Sequence, residues 1–278
     1  MNADELNIFL YRSVIYIVTN LSAEHLDELQ QAKRLLENPS VAARFADSLA
    51  GPVEKGMKLL PAGARGTILA AATKSLNVAL KAAVFTLGEG EKVASNRMHQ
   101  ISAAVSGGVG GAFGLAALGV ELPLSTTIML RSISDIARSE GEDLKSGETQ
   151  MACVEVFALG GSSGGDDASE TGYFAVRAAL ASAVSEAATY VAGKTAVKET
   201  APALVRLVGQ VATRFSVSVS EKAAAQAVPV IGAAGGALIN TLFMNHFQDA
   251  ARGHFVVRRL ERTYGEEVVR EAYAALPN

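Results

Sequence analysis

The hydrophobic and polar positions of this chain divide it into helix-sized segments punctuated by Gly, Pro and Asn. Residues 3–19 open with Asp4 and Glu5 and then turn apolar, which predicts a first helix. Ser22 can cap a second, with Glu24 in its first turn, running to about Leu36 before Asn38 and Pro39 stop it. Short helical stretches follow at Val41–Leu49 and Pro52–Leu60. Pro61 then introduces an Ala-rich helix from about Ala64 to Leu87, ended by Gly88 and Gly90. Pro123 suits a first-turn position, so a helix is predicted from there to Glu140, with Gly141 as its stop. Met151–Leu159 reads as a short apolar helix that breaks at the loop-like tract Gly160–Asp167. Asp167 and Glu170 have capping-box spacing ahead of a helix Tyr173–Tyr190. Ala201–Val219, with Pro202 near its start, and an amphipathic pair, Asp249–Arg262 and Glu266–Ala275, complete the set.

Two runs depart from this pattern by carrying no charge: residues 103–120, and residues 223–248 with His246 taken as neutral. Gly107, Gly108, Gly110, Gly111, Gly114 and Gly119 interrupt the first, and each costs a helix about 1 kcal/mol relative to alanine. Close backbone packing is the expected compensation. Gly107/Gly111, Gly110/Gly114 and Gly232/Gly236 have the four-residue spacing that makes a flat stripe. The two runs are expected to pack on each other or against a membrane. Each approaches or exceeds the roughly 20 residues a bilayer span requires. Both are only weakly hydrophobic, however, and the second contains Gln226, Pro229, Asn240 and Asn245. A buried helical hairpin is the preferred expectation.

Composition narrows the picture. Ala, Val and Leu supply most of the 49% apolar content, while aromatics are 6% and Trp is absent, so an aromatic membrane belt is missing. A net charge of −3 with no long run of one sign argues against a nucleic-acid partner. Cys153 is the only cysteine, which fits a reducing compartment, and the chain opens on acids rather than a basic leader, so a cytoplasmic location is expected. The expected fold is all-α, a multi-helix single domain with Gly/Ala-rich close-packed central helices. Residues 1–60 form an N-terminal helical extension to a main domain over 61–278.

Candidate chemistry is sparse. Gly193-Lys-Thr195 resembles the end of a phosphate loop, but Ala188 stands where the first glycine belongs, and a helix rather than a strand precedes it. Gly160–Gly165 lacks a lysine and is followed by Asp166 and Asp167. Neither a nucleotide nor any other cofactor is expected. His246 and Asp249 share a helix face and His254 lies beyond Gly253, a candidate metal set, although no His-Glu-x-x-His occurs. Glu121, Ser125, Ser132 and Asp135 fall on one stripe if the helix continues through Pro123. Glu121 and Asp135 would still be about 21 Å apart along the axis. Arg131 with Asp135 reads as an i,i+4 ion pair or a buried pair between helices. No Gly-x-Ser-x-Gly is present, and Cys153 reads as a core residue. Arg252, Arg258, Arg259 and Arg262 form a basic cluster beside the second uncharged run. It is a solvated helix face or a contact for anionic headgroups, with Glu261, Glu266 and Glu267 opposing the latter.

Several motifs together resemble the EcsC family over roughly residues 60–275. They are Glu121-Leu-Pro-x-Ser-Thr-Thr, Ile133-x-Asp-Ile-Ala-x-x-x-Gly-Glu142, and Met151-Ala-Cys-Val-x-Val-Phe-Ala-Leu. Asp166-Asp167 with Tyr173, Phe174 and Arg177 adds to these, as does Val228-Pro-Val-Ile-Gly-Ala-x-Gly-Gly-Ala-x-x-Asn240 with His254-Phe255. The resemblance implies a link to ABC-type transport, since the founding member is encoded beside the ATPase and membrane subunits of such a transporter. It implies no established activity. Some relatives carry a peptidase label, but this sequence has no protease constellation, and no catalytic residue is carried over. Glu121, Asp135, Asp143, Arg177 and Asn240 match the family pattern and are candidates for a buried polar network.

The expected role is therefore non-enzymatic: a membrane-associated accessory or regulatory protein, cytoplasmic and peripheral to the inner membrane. Its expected partner is that membrane surface or a membrane protein complex. Two alternatives stand beside it. One is a metal-dependent hydrolase using Glu121, Asp135, His246, Asp249 and His254. The other is a carrier for a lipid or other apolar ligand.

Overall fold

A helix buried on every side occupies the middle of the molecule. In the computed structural model, residues 21–37, 53–86, 114–159, 172–192, 197–198, 200–227 and 232–277 are described. Among them the helices are α1 (Ala23–Leu36), α2 (Val53–Leu59), α3 (Ala64–Thr86), α4 (Gly114–Ser139), α5 (Gly147–Leu159), α6 (Tyr173–Val191), α7 (Pro202–Ala227), α8 (Gly232–Tyr264) and α9 (Glu266–Ala275). No strand occurs among the described residues, and the chain is an all-α, multi-helix single domain. Every residue of α5 except Glu148 is buried. A helix apolar all round must be surrounded, and α3, α4, α6, α7 and α8 all pack on this one.

The long helix α8 binds this core to a second, smaller one. Its Phe243, Phe247 and Phe255 join Phe157 and Phe215 in the main core. Its Val257 and Leu260 pack with Leu29 of α1 and with Val269 and Tyr273 of α9. Contact between α8 and α1 is close because Gly253 lacks a side chain: a Cβ there would lie 2.6 Å from Leu36 Cγ and 2.9 Å from the Ala32 carbonyl. Ser22 caps α1 as expected, its hydroxyl accepting from His25 N at 3.2 Å. Lys33 ties α1 to the chain end by donating to the carbonyls of Tyr273 and Leu276.

Several boundaries differ from those the sequence predicts, among them the start of α5, at Gly147 rather than Met151. The helix expected to begin at Pro123 starts at Gly114 and runs through the proline. Proline has no N–H for the carbonyl four residues back, and that carbonyl, of Gly119, instead accepts from Lys74 Nζ of α3 at 3.3 Å. Asp249–Arg262 is no separate element but the second half of α8, a 33-residue helix. The helix expected to end at Val219 continues to Ala227. Gly141, with φ of +79°, ends α4 as expected.

The first predicted helix (3–19), the stretch Val41–Leu49 and the cap at Asp167 lie outside the described residues. So does the proposed packing of the Gly107/Gly111 and Gly110/Gly114 stripes on Gly232/Gly236.

Gly253→Val is expected to lower stability by about 2–3 kcal/mol, since a backbone carbonyl on α1 cannot yield to the new side chain. Urea unfolding measures this, and an unchanged midpoint would contradict the close contact.

Candidate functional site

The most chemically loaded place in the molecule is a buried polar cluster between α5, α6 and α8. It starts from Glu155, the one charge in the apolar run Met151–Leu159. Helix α5 carries it into the interior, 5% exposed. His254 on α8 faces it, fully buried, with Nε2 4.0 Å from Glu155 Oε2. That separation is too long for a hydrogen bond. The other ring nitrogen, Nδ1, lies 2.9 Å from the Tyr173 hydroxyl at the start of α6. Arg177, one turn further along α6, donates to the same hydroxyl at 3.3 Å and grips Glu261 of α8 through two bonds of 2.7 and 3.1 Å.

The Tyr173 hydroxyl accepts from Arg177 and shares a hydrogen bond with His254 Nδ1, in the direction that the imidazole tautomer sets. His254 Nε2 faces Glu155 without a hydrogen-bond partner. Burial first, and then the charges of Arg177 and Arg258, hold His254 well below the usual histidine range, so the ring is neutral. Burial also pushes the Glu155 carboxyl up to about 7, against the pull of Arg177 and Arg258 and with a small push from Glu261. A half-neutral carboxyl beside a neutral imidazole avoids most of the cost of a buried charge.

An arginine–carboxylate layer covers the α8 side of this cluster. Arg258 donates to Glu142 at 2.8 Å and to Glu148 at 3.0 Å. Glu142 also accepts from Thr149 at 2.9 Å and from Arg262. Burial alone would raise the Glu142 carboxyl, but its bonds to Arg258 and Thr149 and the charges of Arg258 and Arg262 hold it below the ordinary range. Arg259 bridges Glu28 of α1 and Glu140, at 2.9 and 2.7 Å. Arg252 pairs with Asp249 one turn away at 2.8 Å. The four arginines read from sequence as a basic surface cluster therefore each meet a carboxylate. Those carboxylates come from α1, the α4–α5 connection, the start of α5 and α8 itself.

The remaining candidate residues are dispersed. Of Glu121, Asp135, Asp143, Arg177 and Asn240, only Arg177 belongs to the buried cluster. Glu121 forms a separate pair with the fully buried Lys222 at 2.7 Å, and the ammonium also lies 5.0 Å from the Phe243 ring centre. Burial holds Lys222 below its usual range against the attraction of Glu121. Asp135 is exposed and pairs with Arg138 at 3.2 Å, not with Arg131 as the i,i+4 spacing suggests. Asp143 is exposed and accepts from Lys145 N at 2.9 Å. Asn240 Oδ1 is buried without a hydrogen-bond partner among the described residues. His246 is buried with its ring edge-on to Phe247. It lies eight residues from His254, about 12 Å along α8. Among the described residues, no three His, Cys, Asp or Glu side chains are grouped to hold a metal ion, so His246, Asp249 and His254 do not form one centre.

One end of the cluster reaches solvent. A cavity of about 300 Å³ is lined by Phe174, Arg177, Glu261, Glu266, Glu267 and Arg270, among others. Five of its wall side chains are charged, and the Arg177–Glu261 pair separates it from Tyr173 and His254. Burial pushes the Cys153 thiol up to about 12, so the lone cysteine is no nucleophile.

Glu155 and Tyr173 are the residues to which sequence reasoning gave no role. A single acid in a nine-residue apolar run was the available signal.

Glu155 makes the pH dependence predictable. An unfolded glutamate titrates near 4.5, so between 4.5 and about 7 the folded chain holds the extra proton, and this residue's contribution to stability falls as pH rises through that window. His254 acts in the opposite sense, with stability lost as pH falls below its unfolded value of 6.5. Glu155→Gln is expected to match the parent near pH 4 and to gain on it with rising pH, by up to about 3 kcal/mol at pH 8. Urea unfolding across that range reads the difference. A gap that does not change with pH would contradict the neutral carboxyl.

The family model of the EcsC protein family matches residues 23–260, from the start of α1 to near the end of α8. No curated protein and no solved structure matches the chain. The family match takes in the main core and every residue of the buried cluster except Glu261, and the chain belongs to the EcsC protein family.

Proposed function

We propose that this is a non-enzymatic accessory or regulatory protein that works at a membrane surface, on the cytoplasmic side, in association with an ABC-type transporter or similar membrane complex. The observation that carries this reading is the outer face of α3 and the start of α4. Residues Ala64–Val84 are long and apolar enough to cross a membrane by length and composition, and 44% of the stretch is buried in the protein. Helix α3 has Arg65, Lys74 and Lys81 but no acid, with Leu69 and Val78 exposed between them. Lys74 reaches Gly119 of α4, and the neighbouring Val120 is 78% exposed. Apolar side chains interleaved with cations suit the headgroup boundary of an anionic bilayer. The link to transport rests on family membership.

The buried cluster supports a structural rather than a catalytic role. Its carboxyl and imidazole are enclosed, and the solvent cavity meets only a satisfied Arg–Glu pair. The hydrolase alternative lacks a grouped ligand set among the described residues. For the carrier alternative, the cavity over Arg177 has a mixed wall, five charged side chains beside Phe174, Ala178 and Ala181, where an apolar ligand calls for a mainly apolar one.

Fractionation of untagged protein tests the proposal. Recovery is expected in the membrane pellet at low salt, with release by salt or carbonate. Full recovery in the soluble fraction at low salt, with lipid present, would overturn it.

A further inference from the structure

The corner between α2 and α3 brings exposed apolar side chains and cations together in a stretch without acids. Met57, Leu59 and Leu69 are 42%, 57% and 41% exposed, three of the eight large apolar side chains exposed among the described residues. Lys58 and Arg65 are exposed beside them in sequence, as is Pro61. From Met57 to Thr86 the chain contains four bases and no acid, although acids outnumber bases 28 to 25 overall. The nearest acid before the corner is Glu54.

The corner is held in place rather than loose. Gly56 sits so close to α7 that a Cβ there would lie 1.9 Å from the Ala224 carbonyl oxygen. Leu60 packs against the main core, and Ala64 is buried at the start of α3. The turn between them is closed by Ala64 N donating to Pro61 O at 3.0 Å and by Gly63 at φ +89°. With Gly56, Leu60 and Ala64 turned inward, the intervening Met57, Lys58, Leu59 and Arg65 are left outside. The fold fixes apolar side chains in water beside cations.

We infer that the α2–α3 corner is the part of the protein that enters an anionic lipid surface. Met57, Leu59 and Leu69 insert at the headgroup–acyl boundary, while Lys58 and Arg65 meet lipid phosphates. Charge complementarity selects this occupant: the segment is basic within an acidic protein, and each apolar side chain has a cation within a few residues in sequence. The inference rests on the membrane reading above and narrows it to a site.

The test is co-sedimentation of the full chain with phosphatidylcholine vesicles, with and without phosphatidylglycerol, over a range of salt. Three variants accompany it: Met57→Ser/Leu59→Ser/Leu69→Ser, Lys58→Gln/Arg65→Gln, and a control, Val205→Ser/Val217→Ser, which alters exposed apolar residues of α7. Circular dichroism confirms that each is folded. The parent is expected to prefer the anionic vesicles and to lose binding as salt rises. The apolar variant should bind at least about tenfold more weakly, given the transfer energy of three large side chains. The charge variant should lose its anionic preference, and the control should match the parent. Parent-like binding by the apolar variant, with loss in the control, would overturn this site while leaving the membrane reading intact. Failure of the parent to bind either vesicle would overturn both. A dimer that the apolar variant abolishes, without vesicle binding, would assign the corner to a second copy of the chain instead.

Discussion

Helix α5 has no outside. Once all of Gly147–Leu159 except Glu148 is buried, the neighbours of α5 must supply apolar surface over its whole circumference, and five helices do so. They must also deal with the carboxyl that α5 carries inward at Glu155. The solution is partial: His254 comes within 4.0 Å but forms no hydrogen bond with it, and burial raises the carboxyl to about 7 instead. Everything from Tyr173 to Glu261 follows from that choice. The hydroxyl satisfies the far side of the imidazole, Arg177 satisfies the hydroxyl, and Glu261 balances the arginine at the protein's edge.

This arrangement explains why so many charges produce so little exposed chemistry. The arginines of α8 are matched by Glu28, Glu140, Glu142 and Glu148, and Lys222 is matched by Glu121. Such pairs fix the relation of one helix to another more than they add stability, because desolvation offsets much of their attraction. Lys58 and Arg65 of the α2–α3 corner face solvent beside exposed apolar side chains.

Local signals carried much of the fold. Ser22, Pro61 and Gly141 mark element ends in sequence and in space, because caps and stops act over one turn. Pro123 points to a helix start for the same reason: the helix runs through it in a place where Lys74, 49 positions earlier, donates to the stranded Gly119 carbonyl. The uncharged run 223–248 and the charged stretch after it read as separate elements, yet no Gly or Pro stop lies between them, and α8 continues. Arg252, Arg258, Arg259 and Arg262 looked like a surface patch because their carboxylate partners are mostly more than 100 residues away in the chain. Glu155 is the clearest case. Its type and position were visible, but its meaning depends on His254 and Tyr173, which only the packing of α6 and α8 on α5 brings to it.

A direct test of this account is the titration of the Glu155 carboxyl itself. Carbon-13 NMR of protein labelled at glutamate carboxyls, with Glu155→Gln used to assign the resonance, reads it in the folded state. The account predicts a midpoint near 7, far above the 4.5 of an ordinary glutamate. A midpoint near 4.5 would mean that the buried carboxyl is charged at neutral pH, and would contradict the neutral cluster on which the packing around α5 is built.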